Sequence, residues 1–298
     1  MHTSLTELLH GIIDYAGLFP PAKLDMPTTV TNFASYVACD DAWMLKRLIV
    51  PVGRLDEFQA AAASLLPMDG ETTWHLSGLT VPAGDPAFAA NIEVIDAFNR
   101  RHADPSNGSA IIDTIELKGT NVDVIEEALD ELPDEIFPFF EIPWNVDPRG
   151  MIATLVGSDA GAKIRTGGVT ADLYPPVDAV ARFIVACARA GVPFKATAGL
   201  HHPFRHYSDA VDCDEHGFFN VFLAAAIAYA HEEGEDAIAP VLEQTDHSAF
   251  RCTDDSIVVG DYEITADEIA RTRDLIAISF GSCSFDEPRD DLREISLL

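Results

Sequence analysis

The chain predicts an α/β fold, a (β/α)8 TIM-type barrel, as a single domain over residues 1–298. Three observations lead there. Strand-like and helix-like segments alternate along the chain, and eight such strands fit a fold that typically takes about 250 residues. No repeat, low-complexity tract or linker divides the sequence. Charged residues inside several strand-like segments fall on one parity near the segment's C-terminal end, where barrels build their sites. A doubly wound open sheet is the alternative, because alternation by itself does not show closure.

Thr3 to His10 reads as a helix capped by Thr3 or Ser4, and Ile12 to Tyr15 as strand one. A proline-stiffened loop, Phe19-Pro20-Pro21, precedes a helix over Met26 to Ala38 with Thr28 or Thr29 near its cap. Leu45 to Pro51 is strand two, Leu55 to Leu66 a helix, Thr73 to Leu79 strand three, and Pro86 to Arg101 a long helix. The turn cluster Ala103 to Ser109 leads into strand four, Ala110 to Lys118, and a helix over Val122 to Leu132. Strand five is Phe137 to Pro143, followed by a short helix, Arg149 to Val156. Strand six is Ala162 to Thr166 with the helix Pro176 to Ala190, and strand seven is Pro193 to Ala198. Gly217 to His231 and Ala237 to Ser248 read as helices, and Ile257 to Ile264 as a small extra hairpin turning at Gly260-Asp261. Thr265 to Asp274 is the last helix and Leu275 to Phe280 strand eight.

A net charge of −30 argues against a nucleic-acid partner or an anionic membrane, since either needs a basic face. It leaves a small anionic metabolite as partner, provided that a local basic pocket overcomes the global field. A homo-oligomer is compatible with all of this. Five widely spaced cysteines with no CxxC pair suggest neither a disulfide framework nor a zinc ribbon. With no signal-like N-terminus, a reduced, cytoplasmic setting is the expectation. The longest apolar run, Phe218 to Ala230, is interrupted by Asn220 and is too short to span a bilayer. Asn220 there reads as a buried hydrogen-bonding residue.

Strand parity picks out the candidate site. Strand four places Glu116 and Lys118 on one face, strand five Glu141, strand six Lys163 and Arg165, and strand seven Lys195 and Thr197. The opposite parity is apolar and should face the helices, so the charges point into the barrel. An amine crowded by cations and partly desolvated loses its proton more readily and becomes a nucleophile toward carbonyls. That environment is expected of Lys195, with Lys163 and Arg165 on the adjoining strand. Glu116 or Glu141 would move protons or hold Lys118, and Arg165 offers a planar fork for an anionic substrate. The loops Thr166-Gly167-Gly168 and Gly281-Ser282-Cys283-Ser284 are read as anion-binding, with Ser282 and Ser284 as contacts. Asp14 and Tyr15, ending strand one, are expected to reach the same mouth.

His201, His202 and His206 cluster in the loop after strand seven, beside Arg205, and His216 opens the next helix. His201 and His202 are read as acid/base or substrate contacts. The alternative is a divalent metal held by His201, His202, His206 and Glu141, although the spacing matches no standard ligand motif. Cys283 is a further candidate nucleophile, to which the sequence assigns no particular histidine.

Five segments resemble a family of uncharacterised bacterial proteins: Asp14 to Ala22, Lys163 to Gly168, Phe194 to Pro203, His216 to Phe222 and Phe280 to Phe285. That resemblance implies family membership and no reaction. A weaker likeness is to class I aldolases of the deoxyribose-phosphate type, whose barrels carry lysines on strands six and seven. Lys195-Ala196-Thr197-Ala198-Gly199 is similar to the family's Lys-Thr-Ser-Thr-Gly segment, and Lys163 supplies the second lysine. The family's strand-four Asp is replaced by Glu116 and Lys118, and the histidine-rich loop has no counterpart there. This likeness implies Schiff-base chemistry.

The leading expectation is a carbon–carbon lyase or aldolase acting on a small oxo-acid or sugar-phosphate-like anion. Lys195 is its Schiff-base candidate, Lys163 tunes it, and no cofactor is required. The alternatives are a metal-dependent lyase, isomerase or hydrolase using the histidine loop, and a non-catalytic protein that captures an anionic metabolite.

Overall fold

The computed structural model describes residues 1–298. Eight parallel strands close into a barrel: β1 Ile13–Tyr15, β2 Leu45–Pro51, β3 Trp74–Leu79, β4 Ala110–Lys118, β5 Phe137–Glu141, β6 Gly161–Arg165, β7 Phe194–Thr197 and β8 Ala277–Ser282. Each pairs with its neighbours in sequence. Closure is made by β1 against β8, with Ile13 opposite Phe280 and Tyr15 opposite Ser282. That pairing removes both sheet edges and sets aside the open sheet.

The strands form where the sequence alternates, and the apolar parity faces the helices. Ile115, Leu117, Phe140, Ala162, Ile164, Phe194, Ala196 and Phe280 are all buried on that side. Burying one such side chain contributes about 1.5–3 kcal/mol, so a one-residue slip of any strand would forfeit several of these together. The helix Phe218–Ala230 is apolar almost all round and is buried almost all round, with Phe218 stacked on Phe280 at 5.2 Å. Its one polar interruption is satisfied: the Asn220 amide donates to the carbonyls of Val241 and Gln244 and accepts from the Arg205 N–H. No helix is long and apolar enough to cross a membrane.

Several boundaries differ from the sequence expectation. The first helix, Thr3–Leu9, starts after His2 with no side-chain cap. The helix Met26–Tyr36 is capped by Asp25, whose carboxylate accepts from the Thr28 N–H, in place of Thr28 or Thr29. The alanine-rich helix stops at Ala62, and the one expected over Ala237 to Ser248 runs Glu235–Glu243. The expected hairpin is the outer part of a three-stranded sheet, Phe250–Cys252, Ser256–Val259 and Tyr262–Thr265. A hairpin of His206–Ser208 with Cys213–Glu215 and a C-terminal helix, Asp286–Glu294, were not expected.

Candidate active site

The loops at the C-terminal ends of the strands surround a cavity of about 550 Å³, a size suited to a small metabolite. Its walls are largely apolar, from Phe19, Ile49, Leu79, Val169 and Leu173, its floor is charged, from Glu116, Glu141, Lys163 and Arg165, and Lys118 lines it at the exposed rim. Barrel pleating explains the floor, because Glu116, Glu141, Lys163 and Arg165 all sit on the inward parity of consecutive strands. Register then sets their heights: Lys118 lies opposite Glu141, Glu141 opposite Lys163, and Lys163 opposite Lys195.

The charges form one alternating chain. Lys195 Nζ sits 2.7 Å from Asp14 Oδ2 and 2.5 Å from Glu116 Oε1. Glu116 Oε2 lies 2.9 Å from Lys163 Nζ, which lies 2.9 Å from Glu141 Oε2. Arg165 Nε closes the series at 3.5 Å from Glu141 Oε1. Hydroxyls complete the lower part, with Ser77 donating to Glu116 at 2.9 Å and Ser279 to Asp14 at 2.5 Å. Three carboxylates thus balance three cations, and Lys118 stands outside this chain as a surplus positive charge at the exposed rim. In a protein of net charge −30, that surplus is a local exception to the global field.

The crowding of cations expected around Lys195 is therefore absent, because each lysine faces carboxylates. Lys195 is 1% exposed and lies beneath the cavity, whereas Lys163 reaches its floor. Burial works against the charge on Lys163, but Glu116 and Glu141 outweigh it and hold its pKa above the ordinary lysine value. Burial likewise raises the carboxylates, and the lysines overcome it: Glu116 is held well below the carboxylate range and Glu141 below its usual value, Lys163 being the foremost cation in each case.

A pH dependence follows. Both carboxylates have folded-state pKa values below the unfolded value of about 4.3, so their contribution is complete above that value and lost as pH falls through the folded ones. Lys163 works in the opposite direction: its contribution is complete below about 10.4 and is lost above its raised folded value. We expect the urea midpoint to fall steeply below about pH 4, with a shallower fall in Glu141→Gln. Equal slopes in the two proteins would show that Glu141 is not linked to folding in this way.

Other expected site residues separate into two groups. Arg165, Thr197 and His201 line the cavity with Glu116, Lys118, Glu141 and Lys163. Asp14 does not reach the mouth, being fully buried under Lys195. Tyr15, on the opposite parity, faces away from the barrel interior and packs edge-on against Tyr36 at 5.2 Å, with its hydroxyl on Asn32. Ser282 is buried with its Oγ accepting from the Ser284 N–H, and Ser284 Oγ accepts from the Glu287 N–H, so these groups serve the turn rather than a ligand. The glycines after β6 also have a packing role. A Cβ on Gly167 would lie 2.7 Å from the Gly199 Cα, and one on Gly199 would lie 2.8 Å from the Gly167 Cα, so two glycines let the loops after β6 and β7 touch. Ala198, just before Gly199, adopts a left-handed φ of 61° that costs about 1 kcal/mol, and Thr166 Oγ1 holds its carbonyl at 2.6 Å.

The residues named for a divalent metal have other partners in the structure. Glu141 is engaged by Lys163 and Arg165, His202 Nδ1 by Asp291 at 2.5 Å, and His206 Nδ1 by the Phe204 carbonyl at 3.1 Å. His201 turns instead toward Glu287. No group of three or more His, Cys, Asp or Glu side chains is arranged to hold a metal ion. His216 is buried against the Pro175 carbonyl, and burial pushes its pKa down to about 4, leaving a neutral ring that locks two loops together.

One grouping was not assembled from the sequence. Cys283 Sγ lies 3.9 Å from His201 Nε2, and His201 Nδ1 lies 3.0 Å from Glu287 Oε2. Its members are separated by 82 and 86 positions in the chain, so spacing carries no signal of it.

Among solved structures, the chain is similar to the citrate lyase beta subunit complexed with oxaloacetate and magnesium from M. tuberculosis. The likeness has 11% identity and a TM-score of 0.39, covering 64% of this chain and 80% of that one. A likeness that slight carries no argument about chemistry, and the barrel stands on its own strand pairing. No family model matches the chain, and no curated protein does.

Proposed function

We propose that the protein is a carbon–carbon lyase of aldolase type, acting on a small anionic oxo-acid or sugar-phosphate-like carbonyl compound through an imine on Lys163. The observation that carries this reading is the position of that amine. It is the lysine of the β6–β7 pair that opens on the cavity, and it is bonded at 2.9 Å to a carboxylate, Glu141, that opens on the same cavity. The role expected of Lys195 thus passes to Lys163. Lys195 becomes the buried cation that helps keep Glu116 ionised below it. The lysines' placement on strands six and seven is also the feature shared with aldolases of the deoxyribose-phosphate type.

An amine must be neutral to attack a carbonyl, and in the free protein Lys163 holds its proton. Substrate entry changes the balance. An incoming carboxylate or phosphate draws on Arg165 and Lys118, taking from Glu141 a cation that helps keep it ionised. Filling the cavity also displaces water, and in a drier site a neutral amine and neutral acid gain on the ion pair. The proton then passes from Lys163 to Glu141 along their hydrogen bond. The amine adds to the carbonyl carbon, Glu141 returns the proton to the departing hydroxyl, and the sum is ammonium plus carbonyl giving iminium plus water. The iminium withdraws electrons from the adjacent carbon, so a proton or a carbon–carbon bond can be broken there without a metal.

The test is hydrogen exchange. Iminium formation labilises protons beside the carbonyl, so the protein in D2O should exchange the C3 protons of at least one 2-oxo acid or small hydroxy-ketone in a panel, followed by proton NMR. Tight binding of these compounds with no exchange and no cleavage would replace this reading by that of a non-catalytic binding protein.

A further inference from the structure

We propose that Cys283, His201 and Glu287 form a second reactive centre in the same cavity, a thiol activated by an imidazole that adds reversibly to the carbonyl carbon of a small aldehyde. Cys283 lies in the turn after β8, His201 in the loop after β7, and Glu287 in the first turn of the C-terminal helix. Cys283 and His201 both line the cavity, so the pair is open to whatever the cavity holds.

The geometry is that of a nucleophile, a base and a group that orients the base. Glu287 takes the Nδ1 side of the ring at 3.0 Å, which turns Nε2 toward Cys283 Sγ at 3.9 Å. Burial lowers the basicity of His201, but its bonds to Cys283 and Glu287 overcome this and raise its pKa to about 10. Burial alone pushes Cys187 well up and Cys252 to about 11, and burial followed by the neighbouring Glu215 and Asp214 raises Cys213.

Addition suits this site better than acyl transfer. The backbone N–H of Ser284, the donor next to Cys283, is given to Ser282 Oγ and does not offer an oxyanion hole. The imidazolium is the donor at hand. In the step, the sulfur electron pair forms the C–S bond and the carbonyl π pair moves to oxygen. That oxygen takes the Nε2 proton of His201, giving a neutral thiohemiacetal, and reversal releases the aldehyde. None of the alternating chain of charges takes part, so the proposal does not depend on an imine at Lys163.

The experiment is alkylation of the intact protein with iodoacetamide at about pH 6.5, roughly two units below an ordinary thiol pKa, read by peptide mapping of all five cysteines. An ion-paired thiolate gains roughly a hundredfold in ionised fraction and gives back part of it in nucleophilicity, leaving about tenfold. We expect Cys283 to alkylate about tenfold more slowly in His201→Asn, and about threefold more slowly in Glu287→Gln, whose exposed side chain can be changed without disturbing the core. Comparing the same cysteine between proteins removes the effect of its burial. Glycolaldehyde should slow alkylation of Cys283, and should still do so in Lys163→Met, where no imine can hold it. Unchanged rates in His201→Asn, or no alkylation of Cys283, would overturn the reactive thiolate. Protection that disappears in Lys163→Met would overturn its addition to aldehydes.

Discussion

Lys163→Met should abolish exchange and cleavage, with a loss on the order of 10³-fold or more, because no other amine opens on the cavity floor at the same place. Methionine is chosen because it keeps the length and the apolar stem while removing the nucleophile, and with it the cation that Glu116 and Glu141 share. Lys195→Met should behave differently. It leaves the Lys163 amine between Glu116 and Glu141, so exchange per folded molecule should remain within about tenfold while stability drops. Exchange kinetics, normalised to the folded fraction from circular dichroism, separate the two. If Lys195→Met were the inactive protein and Lys163→Met the active one, the roles assigned to the two lysines would be reversed.

The largest effect on stability is expected at Glu116. Its two oxygens bridge both lysines, and it is 1% exposed, so its removal takes one of two carboxylate partners from each of two buried cations at once. Breaking a buried pair by removing one partner costs about 3–5 kcal/mol, and Glu116→Ala should fall in or above that range by urea denaturation. Exchanging charge for packing should behave differently. Glu116→Leu combined with Lys195→Met and Asp14→Asn replaces the lower buried charges by neutral groups of similar size, leaves Lys163 on Glu141, and should recover much of the loss. A Glu116→Ala protein within about 1 kcal/mol of the parent would mean that water or movement of Asp14 and Glu141 compensates for the bridge.

Strand parity made most of this arrangement legible. The alternation around Lys118, Glu141, Lys163 and Lys195 assigns each side chain a face, and the strand order of a barrel then brings the faces together. Parity also bears on strand one, where Asp14 and Tyr15 are adjacent and cannot both point inward. The depth of each amine was not legible. Lys163 and Lys195 are register partners, but four rotatable bonds let one amine reach Glu141 near the mouth and the other reach Asp14 below. The nature of their neighbours was missed for the same reason, and with it the reversal from cation crowding to ion pairing. The C-terminal helix escaped because Asp286–Glu294 buries little beyond Pro288 and Leu292, leaving no clear apolar stripe. It is tied down by ion pairs of Arg289 and Arg293 with Asp41, contacts across about 250 residues that local pattern cannot show. Without that helix Glu287 has no place, and the Cys283–His201 pair could not be read.

The central claim is that the Lys163 amine forms an imine, and the most direct measurement is reductive trapping. The protein is incubated with the panel of 2-oxo acids and small aldehydes, reduced with borohydride, and its peptides are mapped by mass spectrometry. The account predicts one stable adduct per chain, on Lys163, lost in Lys163→Met and retained in Lys195→Met. An adduct confined to Lys195, or none from a compound that the protein turns over, would contradict it.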